Sequence, residues 1–371
     1  MNAQGQIERV LMTADPVGGV WTYAIDLSRM LGRRGISVAL ATMGAPLTPA
    51  QSREAAKLSN VQLYESTYRL EWMDNPWPDV DRAAAWLLTI ENEVEPDVVH
   101  LNGYAHGDLP WRAPRLIAGH SCVLSWWRAV KHEEAPREWD HYRYAVTRGL
   151  QSADFVVAPS RAMLNQLHHH YGPLKAAGVI ANGRDPEQFR TGPKDPFVLA
   201  AGRVWDEAKN IGILEQVQRR VEWPILVAGD GRHPNGESRL LKSVKILGNV
   251  APAVLADHYA RASIFCSPAL YEPFGLAILE AALSGCALVL SDIPSLRENW
   301  EGAALFVSPR DAYALAGRIT ELAGNSILRR TLAAAARRRA LSFTPDRMAD
   351  SYYAVYFNLA HARVPEAVAG D

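Results

Sequence analysis

Cysteine is scarce in this chain of 371 residues: Cys122, Cys266 and Cys286 are the full set, each in an apolar run and none in Cys-x-x-Cys spacing. An odd, scattered trio excludes a disulfide framework and a thiolate metal site, and reads as buried, reduced thiols. Long hydrophobic runs are missing too. No stretch approaches the ~20 apolar residues that cross a bilayer, so any membrane contact is expected to be peripheral. Net charge is nearly absent, with 39 Lys and Arg against 40 Asp and Glu. That leaves no electrostatic footprint for nucleic acid. Residues 1–9 lack the apolar core of a signal peptide, so a cytoplasmic location is expected. No low-complexity tract and no repeat of 20–50 residues is present.

What remains is a folded composition, 48% apolar and 21% charged, in a chain long enough for two domains. Short runs that are apolar on both sides recur at residues 7–12, 36–42, 97–101, 115–119, 155–159 and 179–181. Each ends in Gly, Pro, Ser or Asn or close to one, as strands buried on both faces of a parallel sheet do. Amphipathic stretches at 20–34, 80–94 and 139–151 lie between them, and this alternation predicts a doubly wound α/β domain. Asp, Pro, Gly and Lys dominate residues 186–196, which we take as a boundary. A second series follows at 197–201, 225–228, 244–247, 263–267, 287–291 and 304–307. The expected division is 1–189, 190–344 and a closing helix in 345–371. That helix carries Tyr352, Tyr353, Val355, Tyr356 and Leu359 and must pack against something. In open parallel sheets ligands bind beyond the carboxyl ends of the strands, so chemistry is sought in the loops just after them.

The most informative loop is Ser267-Pro-Ala-Leu-Tyr-Glu272-Pro-Phe-Gly275-Leu276-Ala-Ile-Leu-Glu280-Ala-Ala. A strand ends near Ser267 and a helix is expected from about Pro273, with Gly285 as its end cap. The N–H groups of Gly275 and Leu276 would then offer an anion site at the helix start. Glu272 stands at the helix mouth, and Glu280 about two turns deeper, where it can accept from a pair of hydroxyls. The structural alternative is a dipole-favouring Glu and a Glu in an internal ion pair. After the second domain's first strand come Arg203, a planar fork suited to phosphate, and Lys209, a point charge. Solvated loop charges are the alternative for both. Gly18 and Gly19, after the chain's first strand, permit close backbone approach, or form an ordinary turn.

Two glutamates separated by seven residues in the setting Tyr-Glu-Pro-Phe-Gly-Leu resemble the signature of retaining family 4 glycosyltransferases of the GT-B fold. Asp15-Pro-Val-Gly18-Gly19-Val resembles the family's glycine loop, and Gly202-Arg203 followed by Lys209-Asn210 its Arg and Lys pair. Ile180-Ala-Asn182-Gly183 with Phe189, and Gly248-Asn249-Val250, fit further family positions. The matches run in the expected order over most of the chain. The resemblance implies two doubly wound domains facing across a cleft, acceptor side first and nucleotide-sugar side second, with the last helix returning to the first domain. It implies that Glu272 meets the sugar's O3 and O4 hydroxyls, Glu280 the ribose, and Arg203 and Lys209 the leaving diphosphate. His120, at the end of Arg115-Leu-Ile-Ala-Gly119-His120, resembles the family's active-site histidine. His100 and His106 are its rivals by position.

No metal or cofactor is expected. Asp79-Val80-Asp81 spells Asp-x-Asp, but Pro78-Asp79 opens a helix, so Asp79 reads as an N-cap and Asp81 as a first-turn acid. His168, His169 and His170 point three ways on a helix, unlike a metal site. Trp72, Trp77, Trp126, Trp127 and Trp139, with Arg69, Arg128 and Lys131, suit stacking on acceptor sugars or filling a core. The arginines between 329 and 339 read as a solvated helix face, or a contact with anionic lipid. The donor expected is a nucleotide-diphosphate sugar; the acceptor is a carbohydrate, a lipid-linked saccharide or a small molecule. The alternatives are a nucleotide-sugar epimerase, a phosphorylase, whose cofactor lysine we do not find, and a non-catalytic nucleotide-sugar binder.

Overall fold

The computed structural model describes residues 6–231 and 241–362. Residues 1–5 of the polar start, 232–240 of the second expected domain and 363–371 of the closing segment lie outside the described residues. The chain divides into two compact units. The first runs to Ser125, resumes over Glu134–Gly183 and takes in the final helix from Pro345; the second comprises Trp126–Glu133 and Arg184–Thr344.

In the first unit, β1 (Arg9–Ala14), β2 (Ser37–Thr42), β3 (Val61–Glu65), β4 (Val98–Leu101), β5 (Arg115–Ala118), β6 (Phe155–Ala158) and β7 (Ala177–Val179) form one sheet in the order β3-β2-β1-β4-β5-β6-β7. All its pairings are parallel. The crossovers carry α1 (Gly19–Arg33), α2 (Pro49–Ala55), α3 (Trp77–Val94), α4 (Val123–Val130), which from Trp126 on is grouped with the second unit, α5 (Asp140–Ser152) and α6 (Arg161–Tyr171). The strand order reverses between β1 and β4. The edge strand β3 escapes the sequence pattern because Val-Gln-Leu-Tyr-Glu is partly exposed along its whole length; it has no two-sided apolar run to betray it.

The second unit pairs β8 (Asp195–Ala201), β9 (Ile225–Ala228), β10 (Lys245–Gly248), β11 (Ala262–Ser267), β12 (Ala287–Ser291) and β13 (Ala304–Val307) in the order β10-β9-β8-β11-β12-β13, again parallel. Its helices are α7 (Leu214–Gln218), α8 (Pro252–Arg261), α9 (Leu276–Leu283), α10 (Pro294–Trp300), α11 (Ala312–Gly324) and α12 (Ser326–Ala340). Here the order reverses between β8 and β11. No helix among the described residues is long and apolar enough to cross a membrane.

The closing helix α13 (Pro345–Ala362) buries Met348, Ala349, Tyr352, Tyr356 and Ala360 in the core of the first unit, beside Tyr23, Leu27 and Val98. The arginine run corrects the sequence reading. Arg329 donates to the carbonyls of Leu322 and Ala323, Arg337 to that of Leu283, and Arg339 to those of Asn299 and Glu301. These carbonyls end α11, α9 and α10, where a cation offsets the helix dipole. Only Arg330 and Arg338 of that run are exposed.

Candidate active site

Each sheet has one place where neighbouring strands send their chains in opposite directions, and there the loops part to leave room for a ligand. In the second unit that place is flanked by the loops after β8 and β11. The first carries Arg203 and Lys209, the second Glu272, Gly275 and Leu276.

The β8 loop is held by its own polar groups. Asp206 caps a 3₁₀ turn at Glu207–Lys209, accepting from the Ala208 N–H at 3.0 Å, and binds Arg203 at 2.7 Å. Arg203 also lies 5.0 Å over the Trp205 ring. Asn210, in a left-handed conformation with φ 53°, donates its amide to Pro268 O at 2.9 Å and Pro309 O at 2.7 Å. The Leu270 N–H reaches Ala208 O at 2.8 Å. The two loops are thus sewn together, and Lys209 Nζ meets Glu272 Oε2 at 2.6 Å. A side chain is excluded at Gly229, whose Cβ would fall 1.9 Å from Gly202 O.

Helix α9 starts at Leu276, three residues later than the sequence suggests, because Gly275 takes φ 91° and serves as its N-cap. Pro273 therefore lies in the approach to the helix rather than in its first turn. No described residue accepts from the N–H groups of Gly275, Leu276 and Ala277, which suits an anion. Gly285, with φ 78°, closes the far end: its N–H reaches Ala282 O and that of Cys286 reaches Ala281 O. Glu280 is engaged with Arg184, Oε1 to Nε at 2.9 Å, and both side chains are largely buried. The internal ion pair held open as an alternative therefore exists. Arg184, which no motif singled out, follows Asn182-Gly183 directly; that adjacency was the available signal.

In the first unit the reversal lies between β1 and β4. Gly18, with φ 93°, is the N-cap of α1, and both Gly18 and Gly19 are exposed. His120 follows β5; its Nε2 lies 2.7 Å from Asn102 Oδ1, and its ring meets the edge of Tyr23 at 4.6 Å. Burial pushes His120 down to about 4, so the ring is neutral at physiological pH. The rivals are structural. His100 is fully buried between the hydroxyls of Tyr23 and Tyr356, and His106 holds Val80 O at 3.1 Å.

The Asp-x-Asp reading needs adjustment. Helix α3 begins at Trp77 with Pro76 as its N-cap, so Asp79 is a first-turn acid rather than the cap. It accepts from the Arg69 N–H and pairs with Arg82. Among the described residues no three His, Cys, Asp or Glu side chains gather as metal ligands. His168, His169 and His170 occupy the last turn of α6. Of the tryptophans, Trp72 is exposed, Trp77 stacks on His141 at 3.8 Å and Trp139 packs against Tyr142. Trp126, Trp127, Arg128 and Lys131 fall in the segment grouped with the second unit. A hollow of about 470 Å³ in the first unit, lined by Arg137, Asp140, Arg143 and His169 among others, contains no candidate residue.

Two family models match the chain: "Glycosyltransferase Family 4" over residues 17–188 and "Glycosyl transferases group 1" over 195–325. Together they cover most of it. The chain belongs to glycosyltransferase family 4. It is similar to the glycogen synthase of Mycobacterium tuberculosis, with 29% identity over 52% of this chain and 51% of that protein. It thus spans about half the length of that relative. It also resembles the D-inositol 3-phosphate glycosyltransferase of Kineococcus radiotolerans, with 25% identity over 94% of this chain and 92% of that one. Among solved structures, Anabaena HepE in complex with UDP-glucose superposes with a TM-score of 0.75 at 19% identity, covering 94% of this chain and 99% of that one. That likeness bears on the fold, which is GT-B.

Proposed function

We propose that this family 4 member is a cytoplasmic enzyme that transfers a sugar, with retention and without a metal ion, from a nucleotide-diphosphate donor to a carbohydrate, lipid-linked or small-molecule acceptor. Residues 190–344 would hold the donor and residues 1–189 the acceptor. The observation that carries this reading is the convergence of Arg203, Lys209, Glu272 and the α9 N-terminus on the two loops at the β8–β11 reversal. The name of the Kineococcus radiotolerans relative, a glycosyltransferase, supports it.

Breaking the bond between the anomeric carbon and the diphosphate oxygen leaves negative charge on the diphosphate. Catalysis needs positive groups placed there beforehand. Arg203, Lys209 and the N–H groups of Gly275 and Leu276 supply them, and the backbone at Gly18 and Gly19 approaches the phosphates without a Cβ. Glu272 takes the sugar's O3 and O4 hydroxyls and Glu280 the ribose; His120 touches the transferred sugar. The acceptor oxygen bonds to the same face of the anomeric carbon as the departing oxygen, and its proton passes to that phosphate oxygen. No covalent sugar–enzyme intermediate is needed.

The test is incubation with a panel of nucleotide sugars and acceptors, following nucleoside diphosphate release and product stereochemistry. Release with a retained anomeric configuration supports the proposal. Tight binding without release would indicate a binding protein, and an epimerised donor with no transfer would indicate an epimerase.

A further inference from the structure

The surroundings of His120 fix more than its position. Asn102 directly follows β4, at the reversal in the first sheet. Its backbone N–H donates to Thr13 Oγ1 at 2.8 Å, and its side-chain Nδ2 donates to Thr13 O at 2.6 Å. Thr13 lies on β1 and is buried. A backbone carbonyl can only accept, so the amide nitrogen of Asn102 must face Thr13 and Oδ1 must face the other way. That oxygen lies 2.7 Å from His120 Nε2. It too can only accept, so Nε2 must carry the proton. In a neutral imidazole the other nitrogen is then bare. Nδ1 has no hydrogen-bond partner among the described residues, and Tyr23, edge-on at 68°, restrains the ring plane.

We infer that Asn102 is a positioning residue, anchored by Thr13, that holds His120 as the Nε2–H tautomer and so makes Nδ1 a hydrogen-bond acceptor. A specificity follows, resting on the proposed contact between His120 and the transferred sugar. The group met there must bring a proton. A hydroxyl does so, whereas an ionised carboxylate, which can only accept, faces a bare lone pair. The group of the transferred sugar that meets Nδ1 is therefore a hydroxyl.

Nitrogen-15 NMR of the imidazoles in the full-length protein at neutral pH, with His120 assigned by the His120→Ala spectrum, reads the tautomer without reference to activity. The expected result is a protonated Nε2 and an unprotonated Nδ1 in the native protein. Asn102→Ala should show averaging of the two, while Thr13→Ser keeps the native pattern. A proton on Nδ1 in the native protein, or an Asn102→Ala spectrum identical to it, would overturn the inference. Kinetics supply the second arm. The nucleotide sugar that the enzyme uses is compared in the native, Asn102→Ala and His120→Ala proteins. Asn102→Ala should lose roughly 2–10-fold in kcat/KM, as for loss of one neutral hydrogen bond. An unchanged kcat/KM in Asn102→Ala, with His120→Ala impaired, would overturn the positioning role. If the tautomer is as stated but His120→Ala transfers at the native rate, the positioning role stands and the proposed contact of His120 with the sugar is wrong.

Discussion

Lys209 Nζ rests 2.6 Å from Glu272 Oε2, so the cation assigned to the leaving diphosphate and the acid assigned to the sugar neutralise one another across two loops. For both to serve the donor, each must exchange this partner for a donor group. Removing the acid should then release the cation. Glu272→Ala is expected to leave affinity for free nucleoside diphosphate unchanged or up to several-fold tighter, while transfer from the intact donor falls. Calorimetric titration with the diphosphate checks this, and clear weakening would contradict the division of roles.

The cations themselves should count in the chemical step. Arg203→Ala and Lys209→Ala are each expected to lower kcat by roughly 10²–10³, as for loss of one pre-placed charge donor. Native turnover in both variants would remove them from the site.

Glu280 predicts a different signature, because its loss leaves the largely buried Arg184 without its carboxylate. Removing one partner of such a pair is strongly destabilising. Glu280→Ala should lower the melting temperature and weaken nucleoside diphosphate binding; Glu280→Gln should recover part of both. A variant as stable as the native protein would mean that Arg184 has other support.

Asp79 is committed to Arg82 and the Arg69 N–H, and Arg82 holds its carboxyl below the usual range. Transfer should survive excess chelator, and Asp79→Asn should touch melting temperature more than rate. Activity abolished by chelation and restored by magnesium or manganese would refute metal independence.

Two neutral rings set an acid limit. Burial pushes His100 down to about 3 and His120 down to about 4 from an ordinary 6.5. The unfolded chain therefore takes up protons that the folded one refuses. The stability present above pH 6.5 is lost as the pH falls from 6.5 towards 4, at most roughly 1.4 kcal/mol per pH unit for each ring. Urea unfolding at pH 7, 6 and 5 measures the slope. A His120→Asn variant should give a shallower one, and an identical slope would exclude the ring from the effect.

What the sequence makes legible follows from how many residues a feature involves. The second unit's inner strands, β11 and β12 above all, stand out because they are buried apolar runs, and the site loops because Pro, Gly and charged residues cluster after them. The edge strand β3 hides because exposure leaves it no pattern. The N-terminus of α9 shifts because a left-handed Gly275, a matter of backbone angle, overrides the helix preference of Pro273. Pairings such as Arg184 with Glu280, 96 residues apart, or Arg337 with Leu283 O, depend on tertiary geometry that no local window contains. The same holds for Asn102: its identity is visible, but that its amide is aimed by Thr13 appears only when β1 and β4 are neighbours.

The helix Pro345–Ala362 completes the core of a unit whose other strands and helices all lie before residue 184. In the order of synthesis, the first unit cannot finish when its own sheet emerges. Its Tyr23 and His100 wait for Tyr356 while the ~160 residues of the second unit are translated, roughly 8–32 s at typical elongation rates. The second unit has no such wait, because among the described residues nothing in its core comes from after Thr344. The later half of the chain therefore has all of its core in hand before the earlier half does, and a released chain cut short of residue 345 would hold one complete unit and one incomplete one.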